Sequence, residues 1–286
     1  MVKTTVAKEG FEGIYFEAND KKDKVVIVVS GSNGGMKITK DCAEFYYRNG
    51  ISALAVALFK TKGTQKDLDR VPIEYIESAI RWLKELGYEK IGMDGTSKGS
   101  EIALLSGTMF SELTCVIARV PSHFVSEGLL IKGKSKMPSG TSCWSYKGEE
   151  ISFAPYNART FNLLKILIKE KELHLITINR EKAVKEENII PVEKINGSVL
   201  LISAVNDKVW PSYESGMYLE KRLQEKGFDK PFKHIVYPTM SHAMLTDINW
   251  IYRLAFKTER QKKRQCAVER KQLGNELLNW VNVVWE

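Results

Sequence analysis

Apolar, β-branched runs recur along the chain, each bounded by glycine-rich or polar turns, and most are separated by segments with helical periodicity. A continuous apolar run describes a strand buried on both faces, and strands that alternate with helices build a parallel sheet covered on both sides. The expectation is an α/β protein with a doubly wound, mostly parallel sheet and helices on both faces. The clearest strands are Val25–Val29, Ile51–Val56, Ile91–Asp94, Cys115–Val120, Ser198–Ser203 and His234–Tyr237. Between them, Lys37–Asn49, Asp69–Leu86, Lys98–Met109 and Ser212–Lys226 carry apolar residues three and four apart, the pattern of one-sided surface helices. Roughly Lys3 to Glu17 supplies an antiparallel leading strand or hairpin. Thr258 to Val284 reads as a charged closing helix with Leu273, Leu277, Leu278, Trp280, Val281 and Val284 on its apolar side.

The alternation breaks down between about residues 121 and 196, where Gly128, Gly133, Pro138, Gly140, Gly148 and Pro155 punctuate a long mixed stretch. An insertion of that length usually covers an active site, so it is expected to be lid-like, within a single domain spanning residues 1–286.

One motif gives this scaffold a chemistry. Gly95-Thr96-Ser97-Lys98-Gly99 matches G-x-S-x-G, which arises by chance about once in ten chains of this length. Its setting adds the weight, because the strand Ile91–Asp94 runs into it and a segment with Ala103, Leu104 and Leu105 runs out of it. A nucleophilic serine must sit on a sharp, strained turn, where small neighbours let strand and helix approach. This is the nucleophile elbow of an α/β-hydrolase fold, with Ser97 as the nucleophile.

A serine hydroxyl needs a base to take its proton and an acid to orient that base, and this fold orders them Ser, acid, His along the chain. Of four histidines, His234 and His242 lie late enough. His234 begins an alternating strand and reads as a partly exposed strand residue, whereas His242 sits in the loop Pro238–Ala243, the catalytic position. Asp207 follows the strand Val199–Ser203 at its carboxyl end, where open α/β sheets place functional loops. Asn206-Asp207 would also make a serviceable turn without catalysis. A tetrahedral oxyanion needs backbone donors, expected here at Lys98 and at Ser32 in the loop Ser30-Gly31-Ser32-Asn33-Gly34-Gly35, which reads otherwise as a plain flexible turn.

Other chemistries find less support. The four cysteines, Cys42, Cys115, Cys143 and Cys266, are scattered without metal-ligand spacing and read as buried free thiols, so no metal or cofactor is expected. No Gly-Lys-Ser/Thr ends the glycine-rich loop, which disfavours nucleotide hydrolysis. A net charge of +8 suits nucleic acid, an anionic surface or a phosphate-bearing small substrate equally. Much of it lies in Lys257–Arg264, which reads as a solvated helix face, so nucleic-acid binding is disfavoured. The chain lacks an apolar stretch long enough to span a membrane and an apolar signal core near Met1, so a cytoplasmic protein is expected. A homodimer is compatible with this reading.

These residues resemble the C-terminal catalytic domain of the acyl-CoA thioesterase and bile acid-CoA:amino acid N-acyltransferase family. The likeness runs from about Val25 to the C-terminus. It rests on Gly31–Gly35, Gly95–Glu101, Asn206-Asp207-Lys208-Val209-Trp210 and Tyr237-Pro238 before His242. Lys98 after the nucleophile, Trp210 after the acid and the segment Trp144–Glu149 look like this family in particular. The resemblance implies a Ser97–Asp207–His242 triad acting on an acyl-CoA thioester through an acyl-serine, with water as acceptor. Members that conjugate amino acids carry cysteine at the nucleophile position, which makes N-acyl transfer the lesser alternative. Eukaryotic members carry a β-sandwich domain ahead of the catalytic one, and this sequence is expected to lack it. Asn33, His123, Trp144 and Trp210 are expected to contact substrate. Lys132, Lys134 and Lys136 are plausible contacts for coenzyme A phosphates, although solvated lysines are the plainer reading. A carboxylesterase or peptidase of the dienelactone-hydrolase kind, and a catalytically silent binding protein, are the rival readings.

Overall fold

The strand Lys24–Val29 shows why the sheet reads as apolar runs rather than as alternation. Val25, Ile27 and Val29 point into one core and Val26 and Val28 into a second, and all five are buried. A computed structural model describes residues 1–19, 21–157, 160–178, 180, 182 and 184–286.

The main sheet has eight strands, β1 (Val2–Thr4), β2 (Glu12–Phe16), β3 (Lys24–Val29), β4 (Ser52–Ala57), β5 (Lys90–Thr96), β6 (Leu113–Arg119), β7 (Ser198–Ala204) and β8 (Phe232–Tyr237). Their spatial order is β1-β2-β4-β3-β5-β6-β7-β8. The two leading strands pair antiparallel, β1 with β2 and β2 with β4, and every later pairing is parallel. The fold is that of an α/β hydrolase, as expected.

Five longer helices cover the sheet: α1 (Lys37–Arg48), α2 (Glu74–Glu85), α3 (Lys98–Met109), α4 (Ser212–Glu225) and α5 (Lys263–Asn279). Ile76, Ala79 and Leu83 of α2, Ile102 and Leu105 of α3, and Leu219 and Leu223 of α4 pack on the face that holds Val25 and Ile27. Cys42, Ala43 and Tyr46 of α1 and Leu273 and Leu277 of α5 pack on the other.

Three expectations are corrected here. The stretch from Asp69 is not helical at once: Val71–Pro72 pairs with Trp144–Tyr146, and α2 begins at Glu74. Helix α3 is no one-sided surface helix, because every residue from Lys98 to Gly107 is buried. Its outer side is covered by the stretch that follows β6, with Ile195 pressed against Gly107. The closing helix is broken into Lys257–Gln261 and α5, and α5 ends in a π-helical turn at Trp280–Val284. The break turns Glu259 inward, to 3% exposure, so the charged run at 257–264 is only partly a solvated face.

Between β6 and β7 the chain forms a hairpin, Glu127–Lys132 with Ser135–Ser142, joined antiparallel by Phe161–Asn162, and then the helix Leu163–Glu170. This region lies beside the carboxyl ends of β3, β5, β7 and β8, where parallel strands bring their following loops to one edge.

Candidate active site

The elbow after β5 is built by close approach. An added Cβ at Gly95 would lie 1.9 Å from the Gly99 carbonyl oxygen, and one at Gly99 would lie 2.7 Å from the Val29 carbonyl oxygen. Only glycine fits at either position. Ser97 itself has φ 59° and ψ −121°, a region that residues with a side chain rarely occupy. The turn is held because the Ser97 amide donates to the Arg119 carbonyl at 2.9 Å, while the Ser97 carbonyl accepts from the Ser100 amide at 2.8 Å and its hydroxyl at 2.6 Å.

Three side chains from three loops meet at this turn. His242 Nε2 lies 2.9 Å from Ser97 Oγ, and His242 Nδ1 lies 2.8 Å from Asp207 Oδ2. An ionised carboxylate only accepts, so the proton of a neutral His242 ring belongs on Nδ1, which leaves Nε2 free to accept from the serine hydroxyl. Asp207 is itself held fast. Its Oδ1 accepts from the Val209 amide at 2.8 Å and the Trp210 amide at 3.2 Å, and its Oδ2 accepts from the Ser212 hydroxyl at 2.6 Å. These bonds are also the turn expected of Asn206-Asp207, so one carboxylate shapes the loop and faces the imidazole.

His234 is partly exposed as a strand residue, as the sequence suggested, but its side chain turns inward. Its ring is 1% exposed, with Nε2 at 2.8 Å from Ser203 Oγ and Nδ1 at 3.1 Å from Glu220. Gly216 of α4 makes room for it, since a Cβ there would lie 2.4 Å from the ring.

A cavity of about 130 Å³ opens onto Ser97 and His242, lined by the loop Ser30–Asn33 and by Leu129, Lys136, Phe161 and Leu175 among others. Gly31 abuts Ser97, where a Cβ would lie 2.9 Å from Ser97 Cβ. This brings Ser32 to the site, and the Lys98 amide begins α3, where a helix leaves its amides without an intrahelical acceptor. Of the four residues expected to contact substrate, Asn33 lines the cavity and donates to the Tyr252 hydroxyl at 3.0 Å. The other three do not line it. His123 packs against Phe124 and Tyr218 with Nδ1 3.0 Å from Ser215 Oγ, and burial lowers its pKa to about 4. Trp144 is fully buried and donates to Glu101 at 2.8 Å, and Trp210 donates to the Val120 carbonyl at 3.0 Å. Trp144 and Trp210 serve as core residues, where a large aromatic ring buries the most area. Among the three lysines, Lys132 and Lys134 are exposed and Lys136 lines the cavity.

Residues 71–246 match the family described as "BAAT / Acyl-CoA thioester hydrolase C terminal". The chain belongs to this family. Relatives include rat acyl-coenzyme A thioesterase 1, 25% identical over 220 residues that cover 76% of this chain and 48% of the relative. Another is the rat mitochondrial acyl-coenzyme A thioesterase 2, 26% identical over 220 residues covering 76% of this chain and 44% of that one. The chain thus spans about half the length of the curated relatives it matches. In structure it is similar to a putative dienelactone hydrolase from Klebsiella pneumoniae, with TM-score 0.60, 15% identity and coverage of 99% of this chain and 98% of that one. An esterase from Pyrococcus furiosus gives TM-score 0.54 at 14% identity, with 99% and 98% covered.

In this member of the BAAT and thioester hydrolase family, the nucleophile elbow is joined to a buried ion pair that sequence reasoning missed. Lys98 Nζ lies 3.3 Å from Glu101 Oε2, with both side chains at most 3% exposed. The same ammonium donates to Ser126 Oγ and lies 3.1 Å from Cys143 Sγ and 5.2 Å from the centre of the Tyr156 ring. Glu101 accepts from the Ser126 amide at 3.0 Å and the Trp144 indole at 2.8 Å. Burial works against the ammonium, yet Cys143 and Glu101 outweigh it and raise the Lys98 pKa above its ordinary value. The pair therefore fastens the stretch after β6 to the helix that begins directly after Ser97. Its sequence signal was the i, i+3 spacing of opposite charges within an otherwise apolar helix.

Removing one member of a buried pair strands the other charge. Glu101→Gln is expected to lower unfolding stability by about 3 kcal/mol, and adding Lys98→Met to recover part of that loss, as read by denaturant titration. Strictly additive losses would show that the two charges are not coupled. A second measurement concerns Lys136, whose pKa is lowered to about 8, first by burial and then by Lys60. The unfolded chain then binds the extra proton between pH 8 and about 10.5, so this group's penalty is complete below pH 8 and gone above that window. Lys136→Met is expected to melt higher than wild type at pH 7, with the gain vanishing above about pH 10.5. An equal or lower melting temperature at pH 7 would contradict this.

Proposed function

We propose that this chain is a serine hydrolase that cleaves acyl-CoA thioesters to a free acid and coenzyme A through an acyl-serine intermediate. The observation that carries the reading is the continuous hydrogen-bonded chain from Ser97 through His242 to Asp207, on an elbow whose strained φ of 59° holds the hydroxyl at the cavity. Membership of the BAAT and acyl-CoA thioester hydrolase family supports the choice of substrate, as do rat relatives named acyl-coenzyme A thioesterases.

In this mechanism His242 Nε2 takes the Ser97 proton as Oγ attacks the acyl carbonyl, and Asp207 stabilises the imidazolium that forms. Amides at Ser32 and Lys98 donate to the developing oxyanion. His242 then protonates the departing sulfur. Water, deprotonated by the same imidazole, attacks the acyl-serine; collapse of the second tetrahedral intermediate returns the proton to Ser97 and frees the acid. Residues 121–196 act as a cover, since Leu129, Phe161, Leu163, Leu173 and Leu175 wall the cavity and limit solvent. The chain works as one catalytic domain in this reading. Its four buried thiols suit a reducing compartment such as the cytoplasm.

A fluorophosphonate probe is expected to label wild type and to fail on Ser97→Ala and His242→Ala, each shown to be folded by circular dichroism. Asp207→Asn is expected to lower kcat about ten-thousand-fold by supporting the wrong imidazole tautomer. Thiol release from acyl-CoA, set beside acid release from simple esters of the same acyl groups, tests the leaving group. Labelling that persists in Ser97→Ala would remove the proposed nucleophile, and turnover of esters without thioesters would remove the proposed substrate.

A further inference from the structure

Lys136 stands in the hairpin that follows β6 and shares the cavity with Ser97 and His242. Its ammonium donates to the Ser32 carbonyl at 2.9 Å, and Lys60 donates to the neighbouring Asn33 carbonyl at 3.3 Å. Leu129, Phe161, Leu163, Leu175 and Phe256 supply the apolar part of the wall, and its polar part holds no carboxylate. Among the described residues no carboxylate forms an ion pair with Lys136, and the charge that acts on it is the like charge of Lys60.

Burying a cation without a counter-charge is costly, and a carbonyl dipole offsets only part of that cost. The contrast with Lys98 is direct: that ammonium is buried more deeply and is matched by Glu101. A wall position that only had to fill space would be served by methionine or leucine at no electrostatic cost. An unmatched cation in an apolar cavity beside a nucleophile is satisfied when the ligand brings the anion. The phosphates of coenzyme A are separated from the thioester by the whole pantetheine arm. A group that touches the loop beside Ser97 is therefore placed for the acyl side of the substrate.

We propose that Lys136 binds a carboxylate on the acyl group, so that the preferred substrates are thioesters of dicarboxylic acids. This rests on the hydrolase reading above and narrows it. At neutral pH the amine is still mostly protonated, since its pKa is lowered only to about 8. The other titratable groups at the cavity are His242, engaged by Asp207, Tyr252, whose hydroxyl accepts from Asn33, and the outlying Lys60.

The test compares monocarboxylic and dicarboxylic acyl-CoA thioesters of equal chain length, with the matching simple esters as a second series. Wild type is expected to favour the dicarboxylic member in kcat/KM by about a hundred-fold, the scale of one buried charge pair. Lys136→Met, confirmed folded by its melting curve, is expected to abolish that preference, the dicarboxylic member losing far more kcat/KM than the monocarboxylic one. A wild type that favours the monocarboxylic member, or a variant that slows both members in equal proportion, overturns the proposal. The second result would make Lys136 a support for the Ser32 loop instead. An arm without turnover separates this from the hydrolase reading. In Ser97→Ala, a free dicarboxylic acid is expected to raise the melting temperature more than a monocarboxylic acid does, and Lys136→Met is expected to remove the difference. Equal shifts for both acids overturn the subsite whatever the fate of the nucleophile.

Discussion

Everything at this site hangs on one strained residue. Ser97 holds φ 59° without being glycine, and the surrounding structure must over-determine that conformation for it to persist. It does so from three sides. Arg119 on β6 receives the Ser97 amide, Ser100 in the first turn of α3 returns two bonds to its carbonyl, and Gly95 and Gly99 let strand and helix touch. The parallel register of β5 with β3 and β6 fixes where the turn emerges, and so fixes where the other two loops must arrive.

The histidine loop meets that requirement with buried charge. Glu269 accepts from the Thr239 amide at 3.1 Å and the Met240 amide at 2.7 Å, and Glu259 accepts from the Ser241 hydroxyl at 2.9 Å. Arg270 donates to the Ala243 carbonyl at 2.9 Å and to Glu259 at 2.8 Å, and Arg119, bound to Asp94, donates to the Met244 carbonyl at 3.1 Å. These groups supply what an irregular buried loop lacks, partners for its own amides and carbonyls. An apolar replacement would leave those backbone groups unsatisfied.

The strands and the meeting of Ser97, Asp207 and His242 were legible in the sequence because each leaves a short-range mark. A strand buried on both faces must be apolar throughout, an elbow must carry small residues at fixed spacing, and the fold fixes the order of its catalytic side chains. What was not legible depends on long-range packing. His123, Trp144 and Trp210 look like pocket residues by type and place, yet each has its polar atom occupied by a distant partner, Ser215, Glu101 and Val120 respectively. The charges of Lys257–Arg264 looked solvated because composition cannot say which member faces inward. The inward turn of the His234 side chain was hidden because strand alternation does not register the space that Gly216 leaves in α4.

Two lysines at this site, one buried and one partly buried, show how physics separates a matched charge from an unmatched one. Both lose solvent, Lys98 directly after Ser97 and Lys136 against the Ser32 loop. Lys98 is surrounded by a carboxylate, a hydroxyl, a sulfur and two aromatic faces, so its charge is answered within the chain. It acts on the site only through the position it gives to the elbow. Lys136 is answered by a single carbonyl and opposed by Lys60, and burial drives its pKa down rather than up. Opposite shifts in the same residue type, at one site, reflect whether a counter-charge is built into the chain beside the ammonium.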